Sequence, residues 1–383
     1  MSGFGLDHLP YGVFSVAGDE RRVGVRFEDT VIDLASATGR PEFATPSLNA
    51  FMALGREVWR QTRDEVAALA QAGDAPAYPL DQVALHLPFE VADYVDFYAS
   101  LDHATNVGRI FRPDQEEPLL PNWRHLPVGY HGRAGTVVAS GTPVVRPSGQ
   151  RKAPSEASPT YGPTRRLDIE AELGFVVGAP STLGQAVPYS GFGDHVFGVV
   201  GLNDWSARDI QAWEYVPLGP FLGKSFATSI GHWVTPIDAL DAAWCDLPGQ
   251  DPRPLDYLDP DHARGLDIDV EVVLNGKVVS RPPYRTMYWS PGQMLAHLTV
   301  NGASLRTGDL FASGTISGPE PGQRGSLLEL SWGGQEPFGA DLFGEDRTFL
   351  EDGDEVTLRY SAPSTGGGRI TLGEVAGRVQ PAV

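Results

Sequence analysis

Glu170 and Glu172 stand two residues apart in Leu167-Asp168-Ile169-Glu170-Ala171-Glu172-Leu173, where acidic and apolar residues alternate. In an extended strand such neighbours point the same way, about 6.6 Å apart along the chain. Paired carboxylates of this kind suit either a solvated strand face or, when buried, a compensating cation. Phe175-Val176-Val177 follows directly, and an acidic stretch running into a fully apolar one points to burial on both faces. Oxygen-only ligands select a hard ion, Mg²⁺ or Ca²⁺, over zinc or copper. Asp204 closes the apolar run 196–202 and is either a third ligand or a turn residue that ends a strand. Asp96, set among aromatic residues in Asp93-Tyr94-Val95-Asp96-Phe97-Tyr98, is a fourth carboxylate in a setting that disfavours an exposed, unpaired acid.

Other chemistries are excluded by what the chain lacks. Gly219-Pro-Phe-Leu-Gly223-Lys224-Ser225 has three residues between its glycines where a phosphate-binding P-loop needs four. Gly223-Lys-Ser225-Phe-Ala227 fails the nucleophile elbow at its last position. A single Cys245 removes thiolate–zinc and thiol-relay chemistry and any internal disulfide, so a reducing, cytoplasmic home is expected. The net charge of −20 argues against nucleic acid and anionic membranes. It also means that an anionic substrate would need a local cluster of Arg and Lys. No apolar run approaches the roughly 20 residues that span a bilayer, and the first ten residues lack a signal-peptide pattern.

The elements that must position these residues are mostly strands. At 383 residues the chain is long enough for two domains. Its 45 Gly and 32 Pro favour turns and short strands. Residues 11–35 read as a small β unit with turns at Gly18-Asp19 and Glu28-Asp29. Thr45-Pro46 then predicts the start of a helix whose stripe Phe51, Leu54, Val58, Val66, Leu69 ends near Gly73. Residues 74–79 read as a linker and place a boundary at 80–90, dividing the chain into 1–88 and 89–383. Beyond it, strands are expected at 166–177, 196–202, 327–332 and 355–360, with a hairpin over 271–280 turning at Asn275-Gly276. Helical signal there is confined to 291–298.

Asp96-Phe-Tyr98, Asp102-His103-Ala-Thr-Asn106, Leu126-Pro-Val-Gly-Tyr130-His131-Gly-Arg133, Asp168-Ile-Glu170-Ala-Glu172, Asn203-Asp204-Trp-Ser-Ala-Arg208-Asp-Ile-Gln211 and Ala312-Ser-Gly-Thr315-Ile-Ser-Gly together resemble the fumarylacetoacetase family over nearly the whole chain. The block from Trp213 to Phe226 and the N-terminal Leu9-Pro-Tyr-Gly-Val-Phe14 add to the match. The resemblance implies a mainly β fold, with an SH3-like N-terminal barrel and a C-terminal mixed β-roll, in a homodimer. It implies hydrolysis of the carbon–carbon bond of a small-molecule 1,3-diketo acid, at the end of tyrosine and phenylalanine breakdown. By the same resemblance, Asp96, Glu170, Glu172 and Asp204 hold the cation. His103 is the base and Glu329 its partner, although from the sequence alone Glu329 passes as an outward-facing strand residue. Lys224, Arg208 and Gln211 stabilise an oxyanion. Arg112, Tyr98, Tyr130, Tyr215 and Thr315 anchor the acid ends, again with Gln211. A second hard cation is implied near Asp204, Lys224 and Thr228. Ala227 departs from the Gly expected there, which bears on that loop's geometry.

The rival readings are another member of the same superfamily and a non-enzymatic module. The first would be an acylpyruvate hydrolase, an oxaloacetate decarboxylase or an isomerase. The second would be a β module that Ca²⁺ merely stabilises.

Overall fold

The computed structural model describes residues 3–383. The chain is mainly β, built from several curled sheets. At its N-terminal end, Tyr11–Val16, Arg22–Phe27 and Thr30–Asp33 form an antiparallel meander, extended at its edges by Ala77–Pro79 and Val83–Leu85. The turns fall where the sequence places them, with Gly18 and Glu28 at positive φ. Residues 74–79 are not a free linker, because Ala77–Pro79 pairs with Thr30–Asp33.

Helix formation before Gly73 differs from the expectation. Between Thr45 and Gly73 two helices form, Asn49–Met52 and Arg56–Ala72, and Thr45-Pro46 caps neither. Gly55, at φ 84°, interrupts the apolar stripe and starts the longer helix anew. That helix ends at Gly73 in the left-handed conformation, as read from the sequence.

The central sheet runs in the order Gly129–His131, Tyr94–Phe97, Leu310–Ala312, Ala171–Val177, Val196–Asp204, Thr228–Ile230, Val137–Ala139. Ala171–Val177 and Val196–Asp204 are buried at every residue, so the sheet is covered on both faces. Phe175, Phe311, Tyr284 and Trp289 pack on one side, together with Leu358 and Tyr360 of a second sheet. That sheet has the order Lys277–Ser280, Asp269–Leu274, Glu355–Pro363, Arg369–Gln380, Val144–Val145. Its first two strands turn at Asn275-Gly276, both at positive φ, as the hairpin signal requires.

The N-terminal unit covers the other side. Phe197 lies among Tyr11, Phe51 and Trp59, with ring centroids 5.3–5.7 Å apart. Each such aromatic pair contributes about 0.5–1.5 kcal/mol beyond area burial. The two sheets also meet at Gly201, where a Cβ would come within 2.3 Å of the Tyr360 ring. The Tyr360 hydroxyl in that notch donates to the Glu172 carbonyl at 2.8 Å and accepts from the Leu202 amide at 3.2 Å.

Two further expectations are corrected. The alternating segment 166–177 is not one strand. Leu167–Asp168 pairs with Ser206–Ala207, and the ladder resumes only at Ala171, leaving Glu170 in the break. Residues 327–330 form a short helix rather than a strand, and Glu329 is fully buried. Ser326 caps that helix through its side chain, and the Asp168 carboxylate accepts from the Leu327 and Leu328 amides at 2.7 and 3.0 Å.

Candidate active site and metal centre

Three strands of the central sheet bring the acidic residues together. Asp96 lies on Tyr94–Phe97, between Tyr130 of one neighbour and Ala312 of the other. Glu172 lies on Ala171–Val177, with Glu170 in the break just before it. Asp204 ends the next strand, opposite Thr228. One carboxylate oxygen from each of Asp96, Glu170, Glu172 and Asp204 lies within 4.8 Å of the others, and all four residues are buried. The pair read from strand periodicity and the two acids added to it therefore meet.

The cluster is asymmetric. Lys224 Nζ contacts Glu170 Oε2 and lies 2.8 Å from Asp204 Oδ2. Arg208 Nη1 lies 2.7 Å from Glu170 Oε1. Against a burial that would raise it, the Lys224 and Arg208 charges hold the Glu170 carboxyl far below its ordinary range. Burial and the neighbouring anions push Asp96 and Glu172 well above theirs, and burial raises Asp204 even with Lys224 beside it. Asp96 Oδ1 and Glu172 Oε1 are buried with no hydrogen-bond partner. Buried carboxylates at this spacing with unpartnered oxygens fit a hard divalent cation, whose charge would offset their repulsion.

Gly314 and Thr228 fix two of the carboxylates. The Gly314 amide donates to Glu172 Oε2 at 3.1 Å, from a backbone at φ 75° where an added Cβ would meet the Phe97 carbonyl at 2.3 Å. The Thr228 hydroxyl donates to Asp204 Oδ1 at 2.8 Å. Asp204, Lys224 and Thr228 also border a cavity of about 200 Å³. Ala227 lines a different cavity, beside Phe226 and Val144.

His103 sits in the first turn of helix Leu101–Phe111, whose cap Ser100 accepts from the His103 amide. Its Nδ1 lies 2.7 Å from Glu329 Oε2. Glu329 also accepts from Asn106, Ser317 and Ser326, each at 2.9 Å. Against its burial, the neighbouring His103 and the Asn106 and Ser326 donors hold the Glu329 carboxyl below its ordinary range. The imidazole is thus held through Nδ1, and among the described residues no protein group hydrogen-bonds Nε2. Asp168 accepts from the first amides of the helix that carries Glu329 and from Arg208, which itself touches Glu170, so the pair lies beside the acidic cluster. The Tyr98 ring stands edge-on to the imidazole, with centroids 5.4 Å apart.

The other expected residues sit at varying depth. Arg208 is buried, bound to Asp168 at 2.8 Å and to Gln211 at 3.2 Å, and its Nη2 has no partner. The hydroxyls of Tyr130 and Thr315 are likewise buried and unpartnered. Arg112 ends the His103 helix and donates to the Pro118 carbonyl at 2.7 Å, leaving Nε buried and free. Tyr215 stands apart from these at the rim, 40% exposed.

The sequence reading gave no structural role to Asp168, Asn106, Ser317 and Ser326. Ser326-Leu-Leu-Glu329 carries a capping signal that could have found the helix and the burial of Glu329. No local signal marks Asp168 as the group that joins this helix to Arg208.

Residues 93–380 match the family described as fumarylacetoacetate (FAA) hydrolase C-terminal, and residues 7–88 the one described as fumarylacetoacetase N-terminal. The human fumarylacetoacetase is 47% identical, with 100% of this chain and 97% of the relative covered. Those of Caenorhabditis elegans and Arabidopsis thaliana are 45% and 42% identical, over 100% and 99% of this chain and 97% and 96% of the relatives. Among solved structures, the fumarylacetoacetate hydrolase of psychrophilic Exiguobacterium antarcticum superposes with a TM-score of 0.60 at 18% identity, covering 97% of this chain and 99% of the other.

Proposed function

This chain belongs to the fumarylacetoacetase family, and on that premise we propose that it hydrolyses the carbon–carbon bond of fumarylacetoacetate, giving fumarate and acetoacetate. That reaction closes tyrosine and phenylalanine breakdown. The observation that carries the reading is the buried His103–Glu329 pair beside four clustered carboxylates.

In this reading Glu329 keeps the proton of His103 on Nδ1, so Nε2 takes a proton from water. The water oxygen adds to the ketone next to the fumaryl carbons. Arg208, Lys224 and Gln211 face the resulting oxyanion, and the unpartnered Nη2 of Arg208 is a donor free for it. As the carbon–carbon bond breaks, its electron pair leaves with acetoacetate, and His103 returns the proton to that carbon. A hard cation held by Asp96, Glu170, Glu172 and Asp204 would supply Lewis-acid stabilisation of charge on the diketone oxygens. Arg112, Tyr98, Tyr130, Tyr215, Gln211 and Thr315 would bind the acid ends, and the unpartnered hydroxyls of Tyr130 and Thr315 support this.

The finer readings are proposed on the same footing. The all-oxygen cluster supports Mg²⁺ or Ca²⁺, and the cavity beside Asp204, Lys224 and Thr228 is where a second such ion would sit. The five-stranded N-terminal unit supports an SH3-like barrel and the division into 1–88 and 89–383. The exposed Val216, Leu218 and Phe221 support a homodimer. The single Cys245 supports a cytoplasmic location, and among the described residues no helix is long and apolar enough to cross a membrane.

The test is turnover of fumarylacetoacetate, acetylpyruvate and oxaloacetate, each with Mg²⁺, with Ca²⁺ and with chelator. Cation-dependent turnover of fumarylacetoacetate above the other two is expected. An inert response to it with cation present overturns the reading.

A further inference from the structure

A protein with 49 acidic and 29 basic side chains repels an anionic substrate at long range. One cavity reverses that sign. About 630 Å³ in volume, it is walled by Arg151, Lys152, Arg165 and Arg166, and it reaches inward to Arg208. Arg208 in turn touches Glu170 of the acidic cluster, so the cavity leads to the site described above. Tyr215 stands in the same wall.

The four outer cations pair with no carboxylate among the described residues. Arg151 donates to the Pro163 carbonyl, Lys152 lies over the Trp213 ring at 5.5 Å, and Arg166 lies over the Phe349 ring at 5.7 Å. Arg165 and Arg166 are exposed. The two acids in the wall are already engaged by the backbone: Glu156 accepts from the Ala153 amide and Asp209 from the Arg165 amide, both at 2.9 Å. Four cations left without counter-ions at one opening, on an otherwise acidic surface, are what capture of an anion requires.

We propose that Arg151, Lys152, Arg165 and Arg166 form a cationic vestibule that captures a ligand bearing two carboxylates and favours it over mono-acids of similar shape. The proposal takes its substrate from the reaction proposed above. A dianion gains twice from a positive opening and loses twice from the field elsewhere, so the discrimination is electrostatic and acts on association. These residues position no reacting atom, so they set kcat/KM and leave kcat alone.

The test is the double variant Lys152→Gln/Arg165→Gln, which alters side chains only at the cavity wall. At low ionic strength kcat/KM for fumarylacetoacetate should fall about tenfold with kcat unchanged. The loss should shrink toward nothing at 1 M salt, where the screening length is about 3 Å. An unchanged kcat/KM and salt slope, in a variant that melts as the parent does, overturns the vestibule. Should the parent itself leave fumarylacetoacetate untouched, the reaction is wrong, and the vestibule is judged by calorimetry with fumarate and crotonate. Fumarate binding weakened in the variant by more than crotonate binding supports it, and equal fumarate affinity overturns it.

Discussion

Glu329→Gln preserves the volume of a fully buried side chain and removes its charge. The carboxylate accepts four hydrogen bonds, three at Oε2 from His103, Ser317 and Ser326 and one at Oε1 from Asn106. An amide cannot replace it in either orientation. With its oxygen toward His103, its NH₂ meets the Asn106 NH₂, donor against donor. Flipped, the NH₂ donates to Nδ1 and moves the imidazole proton to Nε2, where the base is needed. Losing one charge-assisted bond and leaving one donor unmade costs about 2–4 kcal/mol of stability. Losing the correct tautomer costs the contribution of general base catalysis, about 10²–10⁴ in kcat, or about 3–5 kcal/mol of barrier. Steady-state decay of the diketone measures kcat and KM, and thermal melting confirms that the variant is folded. The expected result is a loss in kcat with KM within a few-fold, and partial recovery in Glu329→Asp, which restores the acceptor. A folded Glu329→Gln variant with kcat within threefold of the parent refutes the pairing as the source of the base.

Three other outcomes follow from the site. Asp96, Glu172 and Asp204 have pKa values raised in the fold, so without a cation they favour folding at low pH, and that benefit fades as pH rises above about 4, their unfolded range. The stabilisation on adding Mg²⁺ or Ca²⁺, read by thermal melting, should therefore grow from pH 5 to pH 8, reaching about 2.7 kcal/mol at a hundred times Kd, and a pH-independent gain contradicts the shared site. Gly314→Ala places a Cβ 2.3 Å from the Phe97 carbonyl on a backbone at φ 75°, which should destabilise by about 1–3 kcal/mol and weaken cation binding in a titration by displacing the amide that holds Glu172. Asp168→Asn should lower kcat while fumarate binding persists, because Asp168 joins Arg208 to the helix carrying Glu329, and undiminished turnover denies it a positioning role.

The acidic half of the site was legible in the sequence because strand periodicity is local. Glu170 and Glu172 share a face, and Phe175-Val176-Val177 announces burial. What periodicity could not supply was the break at Glu170, which comes from pairing Leu167–Asp168 with Ser206–Ala207, some 40 residues on. The His103–Glu329 half is non-local, since 226 residues separate the two, and only the family motifs bring them together. The apolar-polar pattern at 327–332 suggested a strand. A one-turn helix forms there because Ser326 and Asp168 satisfy its first amides, and only the first of these acceptors lies nearby in the chain. The long helix was found, but Gly55 splits its first turn off, since an apolar stripe does not register a left-handed residue between two helical runs.

The aromatic seat of Phe197 has a consequence for synthesis. Tyr11, Phe51 and Trp59 are all made before residue 60, yet the ring that fills the space between them arrives only at residue 197. At roughly 5–20 residues per second, the N-terminal unit waits on the order of 7–27 s on the ribosome with its apolar face bare. A bare apolar face of that kind is the surface chaperones bind, and a slow codon run between residues 60 and 197 would lengthen its exposure without altering a single amino acid.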